Sequence, residues 1–173
     1  MPTAPTPAGP PDSETLLQPV HLLAQWERAR PADSNQVTPE LRTAFNQFVA
    51  EVLSDTQETN LELADVQDVL RQAAGLTVGR AEASGPSRAQ QALKEAYQTA
   101  QAVGPGTACQ GQILILLQSR PDAELEMDEL TDITETMWRN VGPEWELVFG
   151  YGIVPGLPAE IRLTFLLAPS SAQ

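Results

Sequence analysis

The sequence predicts an α+β protein: a two-layer α/β sandwich with helices packed on a sheet of about four strands, preceded by a long amphipathic helix. Three observations predict it. Trp145, Leu147, Phe149 and Tyr151 fall on alternate positions, as do Ile161, Leu163, Phe165 and Leu167, which is the period of strands with one packed face. Ile113 to Leu117 is an unbroken apolar run, the mark of a strand covered on both faces or nearly so. Leu41, Ala44, Phe45, Phe48, Val49, Val52 and Leu53 recur at spacings of three and four, laying them on one face of a helix. Helices that bury such a stripe against one face of a sheet make a two-layer architecture.

Taken in order, residues 1–12 are proline-rich and predict an extended, poorly packed tail. Residues 13–37 hold a helical segment carrying Leu16, Leu17, Val20, Leu22, Leu23 and Trp26, interrupted at Pro19, and then a loop over Pro31 to Asn35. The long helix occupies 38–59, with Thr38 to cap it and Pro39 suited to its first position. The main domain is assigned to 60–168. Its first helix presents Leu63, Val66, Leu70 and Ala73 on one face and ends near Gly75, and a strand over Leu76 to Ala83 follows. Ser84-Gly85-Pro86-Ser87 turns into a helix marked by Ala89, Leu93, Ala96 and Ala100, closed by Gly104-Pro105-Gly106. After the apolar strand, a helix over Met127 to Asn140 points Leu130, Ile133, Met137 and Trp138 toward a core and stops at Gly142-Pro143. The short, stiff loop Pro155-Gly156-Leu157-Pro158 lets the last two strands pair as a hairpin, and 169–173 is a tail. No internal repeat is evident.

At 173 residues, with 42% hydrophobic and 19% charged residues, the chain has room and composition for one ordinary core. Ten basic against 23 acidic residues give a net charge of −13, which repels nucleic-acid phosphates and anionic lipid. Neither nucleic acid nor direct membrane contact is expected. Cys109 is the only cysteine and His21 the only histidine, so neither a disulfide nor a zinc site of three or four nitrogen and sulfur ligands is expected. Cys109, ahead of the apolar run, reads as a small core residue. The start has neither a basic region nor an apolar stretch of signal-peptide length, which predicts a cytoplasmic protein.

Residues 60–66, Asn60-Leu61-Glu62-Leu63-Ala64-Asp65-Val66, resemble the Asn-x-Asp-x-x-Asp catalytic loop of the tubulin/FtsZ family. Further blocks resemble that family in the same order: Val78-Gly79-Arg80-Ala81-Glu82-Ala83-Ser84-Gly85, Ser87-Arg88-Ala89, Gly111 to Leu117, and Phe149-Gly150 with Ile161 to Ala168. The match spans roughly residues 44–168 and is similar to the C-terminal domain of the bacterial cell-division protein FtsZ, preceded by the second half of its central helix and lacking the GTP-binding domain. The resemblance implies the same two-layer sandwich. It also implies that Asn60, Glu62 and Asp65 act on GTP held by a neighbouring subunit. Glu62 departs from the family's aspartate by one methylene, and a misplacement of about 1 Å can cost about a hundredfold in rate. Local chemistry reads the same residues as helix capping, with acids complementing the positive end of the helix dipole.

A phosphate site of the chain's own requires a glycine-rich turn opening a helix. Gly104 and Gly106 lead into a strand instead, and Ser84 to Arg88 reads as a cap and turn rather than an anion site. No cofactor is therefore expected to bind independently, and GTP only on a partner subunit. Met127, Met137 and Trp138 read as core, and Glu124, Glu126, Asp128, Glu129 and Asp132 as a solvated acidic face. In the complete family the central helix packs against both domains, so here part of its apolar face would be bare unless Leu16 to Trp26 folds back over it.

The function this implies is an FtsZ-like interaction module that binds or caps a filament, its partner FtsZ or a related nucleotide-binding subunit. A chain presenting a loop end without a nucleotide end joins a polymer once and blocks further growth. Two other readings stay open: a GTPase component supplying Glu62 and Asp65 in trans, and a scaffold that no longer contacts filaments.

Overall fold

The computed structural model describes residues 19–30, 36–54, 61–104 and 110–170. Helix α1 (Pro19–Ala29) begins at Pro19, so that proline opens the helix rather than interrupting it, as suits a residue with no N–H to lose. Leu16 and Leu17 lie outside the described residues. Helix α2 (Pro39–Val52) starts as the sequence suggests, with the Thr38 hydroxyl accepting the Leu41 N–H at 3.1 Å. Its stripe of Leu41, Phe45, Phe48, Val49 and Val52 is buried, while Glu40, Thr43, Gln47 and Ala50 face outward.

Helix α3 (Leu63–Gln72) buries Val66, Val69 and Leu70. Ala73 then leaves the helix and bridges Ser170, and the Ala74 N–H donates to the Pro169 carbonyl at 2.8 Å. Strand β1 (Leu76–Ala83) has the predicted bounds. Helix α4 (Arg88–Gln98) stops short of Ala100, because Gln101–Val103 pairs with the start of β1 as the brief strand β2. Strand β3 (Gly111–Ser119), helix α5 (Met127–Val141), and strands β4 (Trp145–Ile153) and β5 (Ile161–Pro169) complete the chain. The end of β5 therefore takes Pro169 from the expected tail, and Ser170 beyond it bridges Ala73.

The α+β sandwich holds, built on a five-stranded mixed sheet in the order β2-β1-β5-β3-β4, with helices on both faces of the sheet rather than one. The four long strands are those expected; β2 is the fifth. The expected hairpin of the last two strands does not form: β3 lies between them, antiparallel to β5 and parallel to β4. A strand apolar on both faces gains most from the sheet's interior, and α5 supplies the crossover that a parallel neighbour needs.

Side chains alternate across this sheet into two cores. On one face Leu76, Val78, Leu114, Leu116, Leu166 and Ala168 pack with α1, α2 and α3. On the other, Ile113, Ile115, Leu117, Ile161, Leu163 and Phe165 pack with α4 and α5. Gly79 lets α4 sit tight on β1, since a Cβ there would lie 2.5 Å from the Ala96 carbonyl oxygen and 2.4 Å from the Phe165 ring. Two residues predicted for the core lie outside it: Met127 is 73% exposed and Trp138 44%, its indole N–H donating to the Trp145 carbonyl at 3.2 Å. Both sit on the outer side of α5, which only the placement of the sheet defines.

Helix α1 covers α2. Leu22, Leu23 and Trp26 are buried in the same cluster as Leu41, Phe45 and Phe48, and burial of each such side chain stabilises by roughly 1.5–3 kcal/mol as an upper estimate. The Arg42 guanidinium binds both oxygens of Glu27 at 2.9 Å, and the Trp26 indole N–H reaches the Ala73 carbonyl at 3.0 Å. The apolar face of α2 is thus covered within this chain, apart from Leu53 at its end, which is 49% exposed. Among the described residues no helix is long and apolar enough to cross a membrane.

Candidate functional site

The candidate loop enters α3 through Leu61, which is buried and fixes the approach of the chain to the core. Glu62 is the N-cap residue, extended at φ −116° and ψ 165°, and Asp65 is the third residue of the helix. The two form a capping box, with an Asp65 carboxylate oxygen accepting the Glu62 backbone N–H at 2.7 Å. Glu62 is exposed and Asp65 half-buried. The structure thus brings together two of the three predicted site residues; Asn60 lies outside the described residues.

This geometry gives Asp65 work inside its own helix: one of its oxygens is held by a backbone donor. Both acids sit at the positive end of the α3 dipole, where they stabilise the helix and set a negative potential on the outer surface. That potential opposes a phosphate on this chain. The starts of α2 and α5 do the same. Glu40 follows the Thr38 cap of α2, and Glu126, Asp128 and Glu129 crowd the start of α5. A nucleotide's phosphates do not fit these termini. Among the described residues no cluster of three or more histidine, cysteine, aspartate or glutamate side chains could hold a metal ion.

The remaining candidate, Ser84 to Arg88, is closed to anions. Arg88 turns inward and places all of its guanidinium donors: two on the Glu129 carboxylate at 2.7 and 2.8 Å, two on the carbonyls of Ala123 and Glu124 at 3.0 and 2.8 Å, and one at 3.3 Å to Glu160. The hydrogen bond to Glu129 raises the Arg88 pKa, and the same bond holds the Glu129 carboxyl below its ordinary value. Glu129 is therefore a structural partner rather than part of a solvated acidic face. The expected serine cap is also absent: Ser87 is left-handed at φ 63° and makes no side-chain cap bond. Arg88 instead joins the starts of α4 and α5 through Glu129.

Sequence reasoning passed over one network entirely. Glu51, in the last turn of α2, accepts from Arg80 on β1 at 3.1 Å and from Arg162 on β5 at 3.4 Å, and Thr164 lies 3.4 Å from its other oxygen. Arg162 also binds Glu82 at 2.8 Å and Gln118 at 3.3 Å. Glu82 and Arg162 are cross-strand partners, as are Arg80 and Thr164, so the register of β1 and β5 assembles the cluster. It pins the end of α2 onto the sheet. The available signal was the polar set Arg80, Glu82, Arg162 and Thr164 on strands whose other residues are largely apolar.

No protein-family model and no curated protein sequence matches the chain. Solved structures do match in shape. An FtsZ dimer from M. jannaschii superposes with a TM-score of 0.55 at 17% identity, over 86% of this chain and 43% of that one. A mutant FtsZ from M. jannaschii gives 0.55 at 18% identity, over 88% and 45%. CetZ from Methanosaeta thermophila gives 0.52 at 24% identity, over 76% and 37%. The chain thus has the fold of this class of proteins, corresponding to the C-terminal domain of FtsZ, and spans less than half the length of the structures it matches. FtsZ and CetZ match alike, so the expected likeness to bacterial FtsZ in particular narrows to a fold common to both.

Proposed function

We propose that this chain is an interaction module of the FtsZ-like cytoskeleton, docking through the Glu62–Asp65 end of α3 on the nucleotide-bearing end of a filament subunit and capping it. One observation carries the reading. The side of α2 that a nucleotide domain would cover is closed by α1 or lined by Glu40, Thr43, Gln47 and Ala50, while the Glu62 end stays exposed. A domain so closed on that side keeps the Glu62 end free to join a polymer. The match to an FtsZ dimer supports association with a subunit of that type. GTP in this reading is held by the partner alone.

Catalysis in trans is the weaker reading, because Asp65 is already engaged by the Glu62 N–H and Glu62 is a longer acid than the resembled loop carries. The test is to add the chain to polymerising intact FtsZ from the same source and measure filament length, pelleting and GTP turnover. Capping predicts shorter filaments at substoichiometric amounts, with the Glu62→Ala, Asp65→Ala double variant still capping. Loss of stimulated turnover in the double variant, with Glu62→Asp raising it, favours trans catalysis instead. No effect on filaments or turnover at any ratio leaves only a scaffold.

A further inference from the structure

Helices α4 and α5 run side by side in the same direction, joined near their starts by Arg88 and Glu129, with Tyr97 near the end of α4 and Asn140 near the end of α5 lining the space between them. Between them lies a groove of about 590 Å³, within the size of small-molecule sites. Its floor is apolar: Leu93 and Ile133 are buried, and the Tyr97 ring stacks at a tilt on Phe165 with centroids 4.8 Å apart. Burial pushes the Tyr97 phenol above its ordinary pKa, against a smaller opposing effect of Asn140, so the ring stays neutral.

The rim of the groove carries two cations. Among the described residues Arg42, Arg71, Arg80, Arg88, Arg120 and Arg162 each have a carboxylate partner. Lys94 and Arg139, both lining this groove, have no ion pair, as is also true of Arg28 on α1, although acids outnumber bases by 23 to ten in this chain. Among the described residues, only in this groove do two such cations flank one apolar floor. The one acid of the lining, Asp132, lies two helical turns before Arg139, about 10 Å along α5, and makes no ion pair with Lys94 or Arg139. Two unpaired cations over an apolar floor complement an anion carrying a flat apolar body.

We propose that the α4–α5 groove binds a small aromatic or similarly flat anion, a carboxylate or phosphate monoester, whose charged head sits between Lys94 and Arg139 and whose body lies on Leu93, Tyr97 and Ile133. This goes beyond the docking function above and does not depend on it: α4 and α5 cover the face of the sheet opposite α3, which carries Glu62 and Asp65.

The probes are 1-naphthoate, 1-naphthyl phosphate and the uncharged 1-naphthamide, titrated into the full chain labelled with nitrogen-15. The proposal expects saturable shifts of the amides of Leu93, Tyr97, Ile133 and Asn140 with at least one of the two anions, and affinity at least tenfold weaker for the amide. The exposed double change Lys94→Gln, Arg139→Gln should weaken the anion at least tenfold without moving the amide, and Asp132→Asn should tighten it two- to threefold. The tighter of the two anions identifies the head group. Shifts located elsewhere, equal binding of amide and anions, or a double variant that binds as wild type would each overturn the proposal.

Discussion

The indole N–H of Trp26 donates to the backbone carbonyl of Ala73 at 3.0 Å, linking residues 47 positions apart. Ala73 is the residue at which α3 ends and bridges to Ser170, so one side chain of α1 is tied to both a helix end and the end of strand β5. The bond adds to the burial of Leu22, Leu23 and Trp26, which makes α1 part of the core rather than an appendage.

Trp26→Ala should therefore cost about 3–5 kcal/mol in urea unfolding, as expected when a large buried aromatic is removed. Trp26→Phe keeps most of the packing and loses the hydrogen bond, and should cost about 1 kcal/mol plus a smaller packing loss. Equal stability of Trp26→Ala and wild type would mean that α1 is not docked as described.

Asp65 offers a way to separate capping from charge. Asp65→Ala removes the acceptor for the Glu62 N–H and should lower stability by about 0.5–2 kcal/mol. Asp65→Asn retains an oxygen acceptor and should stay closer to wild type in the same measurement. If Asp65→Asn then loses the effect on filaments while remaining folded, the carboxylate's charge acts at the interface.

Arg88→Met leaves Glu129 and two carbonyls without their partner, and should destabilise by about 3–5 kcal/mol if the site stays closed to water, less if water enters. The pH dependence has a definite sign. The Glu129 pKa is depressed in the fold, so its contribution is complete above the ordinary glutamate value of about 4.3 and is lost as pH falls through the lower folded value. Below pH 4.3, stability of the wild type should fall more steeply with acid than that of Arg88→Met. Parallel slopes would show that Glu129 is not held by Arg88.

At Gly79 the β-carbon of an alanine would press on the Ala96 carbonyl and the Phe165 ring, and the backbone of α4 can move only with its whole helix. Gly79→Ala should cost at least about 1–3 kcal/mol despite the better strand propensity of alanine over glycine. Thermal unfolding of the variant checks this directly.

Much of the fold was legible because it is written in short periods. The alternation of Ile161, Leu163, Phe165 and Leu167 named a strand, the three-and-four spacing of Leu41 to Val52 named a helix, and the Thr38-Pro39 start and the bounds of β1 needed only neighbouring residues. The pairing of Glu62 with Asp65 was likewise readable as a cap, since its two partners are three residues apart.

What local sequence leaves open is which distant residue each group meets. The last two strands could satisfy their backbones on one another or on β3, and only the demand of β3 for neighbours on both edges placed it between them. Glu129 looked like one acid among several until the fold put Arg88, 41 residues away, against it. Arg80, Glu82 and Arg162 were isolated charges until strand register and the end of α2 brought them to Glu51. Periodicity determines which face of an element is buried, because it is a property of one segment; the partner of a buried charge or a sheet edge is chosen by packing of the whole chain, and the tertiary structure alone decides it.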